Sequence, residues 1–216
     1  CKVLGFESEL LFYFANDPYT LFNRQPDYKK LAETIIKIGA NVVCFSAVTD
    51  NYRFQTQIAK LLKTIDKDII TVFGGVHVTS VPETVIMNDF VDVICIGEGE
   101  VAFIEFLESL RFEHGKISMP DRTINGIVFK KENQLFGTFK ECCLADLNTL
   151  PFPYKDAFYK AFPAFKREYT IMSARGCPLY CSYCINSLLK KMRNGQNFRQ
   201  RSVANVIKEL IYAQKH

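Results

Sequence analysis

Residues 173–184 read SARGCPLYCSYC, which places Cys177, Cys181 and Cys184 at spacing C-x3-C-x2-C. Thiolates are soft ligands that favour iron–sulfur clusters, zinc or copper(I). A closed zinc site wants four ligands, and no further Cys or His lies just downstream. A disulfide among the three would leave one thiol over. A cubane cluster normally takes four cysteines. Three on one short loop hold three irons and leave the fourth open to a small molecule. The spacing therefore points to an open [4Fe-4S] cluster, with the vacant iron as the place for chemistry.

A second set of residues lies upstream, at the ends of strand-like runs. The segments are FSAVTDN (45–51), FGGVHVTSVPE (73–83) and IGEGE (96–100). In an open α/β sheet the ligand lies at the carboxyl ends of the strands. Ser46 and Thr49 supply hydroxyls there, and Gly74 with Gly75 allows close approach of a ligand to the backbone. Gly97 and Gly99 loosen a turn, while Glu98 and Glu100 suit a helix start, Glu100 more clearly. His77 reads equally as a ligand contact or as a loop histidine bonded to backbone. A dinucleotide fingerprint G-x-G-x-x-G and a phosphate loop G-x4-G-K-[ST] are both absent.

The elements that position these residues follow from periodicity. Strands are expected at roughly 2–14, 41–45, 69–73 and 91–96, the last three apolar and β-branched as in a covered parallel sheet. Between them run helical stripes: Tyr28, Leu31, Ala32, Ile35, Ile36; then Ile58, Leu61, Leu62, Ile65; then Phe103, Phe106, Leu107, Leu110. Alternating β and α predicts a doubly wound, Rossmann-like α/β domain with a parallel sheet over residues 1–114. Residues 115–166 read as a hairpin (124–139, turning at 131–134) and an aromatic, proline-rich linker. Residues 167–216 read as a strand at 169–173, the cysteine loop, and a helix capped by Ser202 with a stripe of Val203, Val206, Ile207, Leu210 and Ile211.

Composition excludes some classes. The 216 residues are 48% hydrophobic and 23% charged, with a net charge of +4. That charge is too small to argue for a nucleic-acid partner without a local patch. No apolar run reaches the roughly 18 residues of a membrane span, and the start lacks a secretory signal. The eight cysteines form no disulfide framework. Cys44 and Cys95, in apolar runs, read as buried free thiols, and the chain suits a reducing, cytoplasmic compartment. Both ends read as cut, with a first βα unit expected ahead of Cys1.

The cysteine motif after a strand, with Tyr183 just before the last cysteine, resembles the radical S-adenosylmethionine (radical SAM) enzymes. The resemblance implies that SAM chelates the open iron and is split to a 5′-deoxyadenosyl radical, with Tyr183 near the adenine. Arg199 and Arg201 in FRQRS match an R-x-R-S segment of many relatives. From Lys190 to Arg201 there are five basic residues and no acid. This segment is read as a solvated loop ahead of the Ser202 cap in preference to a contact with SAM or an anionic substrate.

Taken in order, S-x-V, then Gly74-Gly75 and His77 in GGVH, then IGEGE, the LADLNTLPFP linker and the three cysteines, nearly the whole chain resembles the cobalamin-binding-domain radical SAM proteins. That likeness implies cobalamin contacts from Ser46, Gly74, Gly75 and His77, with Thr49, Gly97 and Glu98 beside them, and SAM contacts from Tyr183 and Arg199. It implies a [4Fe-4S] cluster, SAM and cobalamin as cofactors, a flavodoxin or ferredoxin as electron donor, and a small-molecule substrate. The expected reaction is methyl transfer to an unactivated carbon. The chain alone is not expected to turn over. A corrinoid carrier with a vestigial cluster half, and a radical SAM enzyme without cobalamin, acting in rearrangement, ring closure or RNA modification, remain alternatives. D-x-H-x-x-G, which would bring a lower histidine to cobalt, is absent.

Overall fold

A computed structural model describes residues 5–11, 27–113, 116–132, 134–144, 146–195 and 197–215. Residues Asp27–Leu144 form one compact unit, and those from Ala145 onward belong to another.

The first unit is an α/β fold. Helix α1 (Tyr28–Ile38) starts where the Asp27 carboxylate accepts from Lys30 N–H at 2.9 Å, and it ends at the left-handed Gly39. Strand β1 (Val42–Ser46), helix α2 (Thr49–Ile65), strand β2 (Ile70–Gly74), short helices α3 (Val76–Ser80) and α4 (Pro82–Ile86), strand β3 (Val93–Cys95) and helix α5 (Gly99–Ser109) follow. The three strands are parallel, with Ser46 opposite Gly74.

Short strands β4 (Arg111–Glu113) and β5 (Lys116–Ser118) pair with each other. The hairpin of β6 (Ile127–Lys131) and β7 (Gln134–Gly137) then joins the main sheet, whose order is β1-β2-β3-β6-β7. Thus the hairpin expected at 124–139 forms and continues the sheet, β6 lying antiparallel to β3. Side chains pack against both faces of the sheet, as in a doubly wound fold. One core holds Ala32, Ile35, Phe45, Ile58, Leu62, Phe73, Ile94 and Val128. The other holds Ile70, Val72, Cys95, Ala102, Phe106, Ile127 and Phe129.

Two expectations are corrected here. Residues 6–11 carry no strand; the rest of the expected strand at 2–14 lies outside the described residues or at the turn residue Gly5, as His114 and His216 lie outside them. Cys44 is exposed, not buried. The alternation of β1 puts it on the side of Val42, away from Val43 and the first core, and no described strand flanks β1 on its other edge. Cys95 is buried as expected, and burial pushes its thiol up to about 12.

The second unit contains helix α6 (Asp156–Ala161), two-residue strands β8 (Ala174–Arg175) and β9 (Arg199–Gln200), helix α7 (Ile185–Met192) and helix α8 (Val203–Lys215). The strand expected at 169–173 is not formed. A strand exists through its ladder, and the ladder here runs between 174–175 and 199–200. One more bond, from Arg201 N–H to Ser173 O at 2.9 Å, extends it.

Ser202 caps α8, its hydroxyl accepting from Asn205 N–H at 3.2 Å. The linker is anchored at the same point, because Asn148 Oδ1 accepts from Ser202 N–H at 2.8 Å. Phe152 of the linker packs against Tyr212, the rings tilted at 47° with centroids 5.7 Å apart. The residue α8 buries is Glu209, not its apolar stripe, of which Val203, Ile207, Leu210 and Ile211 are exposed.

Candidate functional site

At the carboxyl edge of the parallel strands, the turns after β1 and β2 are locked together. Ala47 N–H donates to Gly74 O at 2.8 Å, and His77 N–H donates to Ala47 O at 3.0 Å. Gly75 has φ +94°, and a Cβ on it would lie 2.7 Å from Ala47 O. The space over Gly75 is therefore filled by this chain's own backbone. Gly74 differs. A Cβ there meets only Cys95 Cβ at 3.6 Å and Cys95 O at 3.7 Å, which is ordinary contact. Ser46, its neighbour across the ladder, is exposed. Cys44, Ser46 and Gly74 thus border a strip of sheet left open at the carboxyl edge.

Thr49 and His77 come together with each other: the Thr49 hydroxyl and His77 Nδ1 are 3.1 Å apart. The His77 ring lies 4.2 Å from the Tyr52 ring. His77 sits in the first turn of α3 and not in a loop, and its ring contacts are side chains. The sequence did not signal that helix, because VHVTS is β-branched. Thr79 ties α3 to the next strand end, its hydroxyl accepting from Gly97 N–H at 2.9 Å.

Gly97 and Glu98 face the returning chain. Gly97, with φ +84°, bridges Cys142, and a Cβ there would lie 2.3 Å from Cys142 O. Glu98 N–H donates to Cys142 O at 2.7 Å, while its carboxylate accepts from Leu144 N–H at 3.0 Å. Glu98 stands at the helix start, but its side chain makes no cap; it clasps residues 142–144 instead. Glu100 lies in the first turn of α5, where the helix dipole favours its charge.

In the second unit the cysteine loop is folded by its own contacts. Cys177, Cys181 and Cys184 are free and half-buried. Cys184 takes the N-cap position of α7. The Ser187 hydroxyl donates to Cys181 O at 2.7 Å, and Cys184 N–H donates to Cys181 O at 3.1 Å. Lys190, only 7% exposed, pins the other arm: Nζ donates to Pro178 O at 2.8 Å and sits 3.4 Å from the Tyr180 ring centroid. Asn186 Nδ2 donates to Cys184 Sγ at 3.6 Å.

Among the described residues no three Cys, His, Asp or Glu side chains converge as a single-ion site. A cubane binds each cysteine to a different iron, so its thiolates stand wider apart than those of one ion. Three free thiols on one loop, with a helix start and an amide donor at one of them, fit that group.

Tyr183 projects outward, 91% exposed. Arg199 is half-buried on β9, opposite Arg175. Arg201 belongs to neither reading of the basic loop. Its guanidinium pairs with Glu209, the two being 11% and 1% exposed. It also donates to Asn205 Oδ1 at 2.7 Å and Met172 O at 3.0 Å. Tyr169 Oη completes the Glu209 carboxylate at 2.9 Å, and burial, then that contact, raises the Tyr169 pKa. Removing one member of a buried pair leaves an uncompensated charge, at a cost of about 3–5 kcal/mol. Arg201→Leu should therefore destabilise the protein by about that much in urea unfolding, and Arg201→Leu combined with Glu209→Leu should recover most of it. Equal losses in the single and double variants would sink this account. Sequence reasoning missed Asn186 and Asn197, and it put Lys190 in a solvated loop, whereas Lys190 is buried on α7; an asparagine two residues past a cysteine is too common a pattern to have singled out Asn186.

The B12 binding domain model matches residues 2–107. Over 188 residues the chain is 27% identical to an uncharacterized methyltransferase, PH0819, of Pyrococcus horikoshii, covering 85% of this chain and 39% of that protein. It is 31% identical over 164 residues to the cobalamin-dependent radical SAM methyltransferase TokK of Streptomyces tokunonensis, covering 72% of this chain and 23% of TokK. The chain spans less than half the length of these curated relatives. In fold it resembles the cobalamin-dependent SAM radical enzyme OxsB, solved with aqua-cobalamin and SAM bound, at a TM-score of 0.62 and 19% identity, over 88% of this chain and 26% of OxsB. By that domain match and those relatives, the chain is similar to B12-binding domains over residues 2–107 and to cobalamin-dependent radical SAM methyltransferases over most of its length.

Proposed function

We propose that this chain carries the cobalamin-binding and cluster-binding parts of a cobalamin-dependent radical SAM methyltransferase acting on an unactivated carbon. The observation that carries the reading is the open strip at the carboxyl edge, bordered by Ser46 and Gly74, in a domain that matches the B12-binding model. Methyltransferases among the relatives support the reaction class. When bound, the cluster supplies an electron for SAM cleavage and cobalamin supplies the methyl group.

The residues divide the work as follows. Ser46 offers a hydroxyl and Gly74 an open backbone to the cobalamin tail. Gly75, Gly97, Glu98 and the Thr49–His77 pair hold the strand ends that shape this edge. Cys177, Cys181 and Cys184 ligate the cluster, leaving one iron for SAM. Tyr183, standing clear of the loop, stacks on the adenine, and Arg199 meets the SAM carboxylate. A small electron-transfer protein is the proposed reductant. No described helix is long and apolar enough to cross a membrane.

The test is an anaerobic cobalamin titration followed by absorbance. Gly74→Val suits the strand and makes only ordinary contact with Cys95 at its Cβ, yet fills the strip. It should weaken cobalamin binding at least about tenfold, roughly 1.4 kcal/mol, with an unchanged circular dichroism spectrum. Equal affinity in wild type and Gly74→Val would remove the strip as the site. No binding by folded wild type would leave a radical SAM protein that does not use cobalamin.

A further inference from the structure

Behind the cysteine loop runs a chain of side-chain hydrogen bonds whose direction is fixed at its far end. Arg193 Nη1 donates to Asn197 Oδ1 at 2.6 Å. A guanidinium has donors only, so it dictates which way the Asn197 amide faces. Asn197 Nδ2 is thereby turned to Asn186, donating to its Oδ1 at 3.2 Å and to its main-chain O at 3.5 Å. With Asn186 Oδ1 so engaged, Asn186 Nδ2 is left pointing at Cys184 Sγ, 3.6 Å away. Flipping either amide would set acceptor against acceptor or donor against donor. Asn197 is fully buried, so water has no access to repair such a mismatch.

We infer that Asn186, oriented through Asn197 by Arg193, is a positioning residue that donates a hydrogen bond to the Cys184 ligand and raises the reduction potential of the cluster. The inference rests on the proposed role of the three cysteines. Hydrogen bonds to ligand sulfurs are among the levers that set cluster potentials. The sign is determined by charge. One-electron reduction places more negative charge on the sulfurs, so a donor stabilises the reduced state more than the oxidised one. Losing the donor therefore makes the cluster harder to reduce.

The experiment is an EPR-monitored redox titration of the protein reconstituted anaerobically with iron and sulfide. Asn186→Leu, similar in shape but without a donor, should bind the same amount of iron. Its reduction equilibrium should move at least tenfold toward the oxidised form, a shift of 59 mV for a one-electron couple. Arg193→Leu, which releases the Asn197 amide, should move it the same way by less. An unchanged potential in fully loaded Asn186→Leu overturns the inference. A shift in Asn186→Leu alone supports the donor and overturns the relay behind it. Should Asn186→Leu fail to load, the unmutated protein decides by pulsed EPR with 15N-asparagine. A side-chain nitrogen coupled to the reduced cluster supports the inference, and none overturns it. Wild type that takes up no iron would instead bring down the cluster assignment itself, and this inference with it.

Discussion

In the whole enzyme, Cys181→Ala is expected to abolish 5′-deoxyadenosine formation while leaving cobalamin binding at the wild-type level. On the proposed assignment each cysteine of the loop ligates a different iron, so no neighbour can take over for a missing one. The change also removes the middle of a loop whose two arms are fixed independently, by Lys190 on Pro178 and by Ser187 on Cys181 O. The fold around the loop should persist, because those bonds use main-chain carbonyls, the Lys190 ammonium and the Ser187 hydroxyl, not the thiol. Ser46, Gly74 and His77 belong to the other compact unit, which gives the selective loss its logic. The readouts are chromatography of the nucleoside product after reduction with dithionite and a parallel absorbance titration with cobalamin. A fall of three or more orders of magnitude is expected for losing a group that carries the chemistry, about 4 kcal/mol or more in the barrier. Retained SAM cleavage in Cys181→Ala would show that the ligands are elsewhere.

Gly75→Ala should be far more damaging than Gly74→Ala, although the two glycines are adjacent. At Gly75 the backbone (φ +94°, ψ −177°) lies in a region open essentially to glycine, where other residues incur about 1–3 kcal/mol of strain. The added methyl would also stand 2.7 Å from Ala47 O and 2.8 Å from Ala47 N, both main-chain atoms engaged in the bonds that join the two turns. Relief requires opening those bonds, each worth about 1 kcal/mol net. A loss of roughly 3 kcal/mol or more is expected by urea unfolding of Gly75→Ala, and less than about 1 kcal/mol for Gly74→Ala. Similar midpoints for the two would contradict the geometry. One practical result follows: a Gly75 variant that loses cobalamin reports a broken fold, whereas Gly74 reports the ligand.

The parallel strands and the three long helices of the first unit were legible because period 2 and period 3.6 leave strong marks in sequence. The hairpin was legible too, as two short apolar runs around a polar turn, but its place was not. Nothing local in Ile127–Lys131 says that it pairs with Val93–Cys95, a contact made across the intervening α5, β4 and β5. The 169–173 strand failed for the converse reason, since only Ser173, at its end, meets the described ladder. At the carboxyl edge, residue types singled out the strand ends and left their tasks mixed. Ser46 and Gly74 border open surface; Thr49 and His77 hold each other; Gly97 and Glu98 hold residues 142–144. That division depends on what passes within a few ångströms, which spacing along a chain does not encode. Arg201 shows the limit most plainly: a basic loop suggested solvent or an anion, and a glutamate on the following helix had already claimed it.

The antiparallel closure of the sheet also sets a timetable. As the chain leaves the ribosome, β3 can join β1 and β2 once Cys95 has emerged, but its far edge stays open until β6 and β7 follow. At typical synthesis rates that interval lasts roughly 2–8 s. Throughout it, Val93, Ile94 and Cys95 present unpaired backbone along an apolar edge, the arrangement most prone to pairing with a second nascent chain. The interval closes only when the Ile127–Gly137 hairpin docks. The stretch of synthesis between Cys95 and Gly137 is therefore the time when this edge of the sheet is open to a second nascent chain.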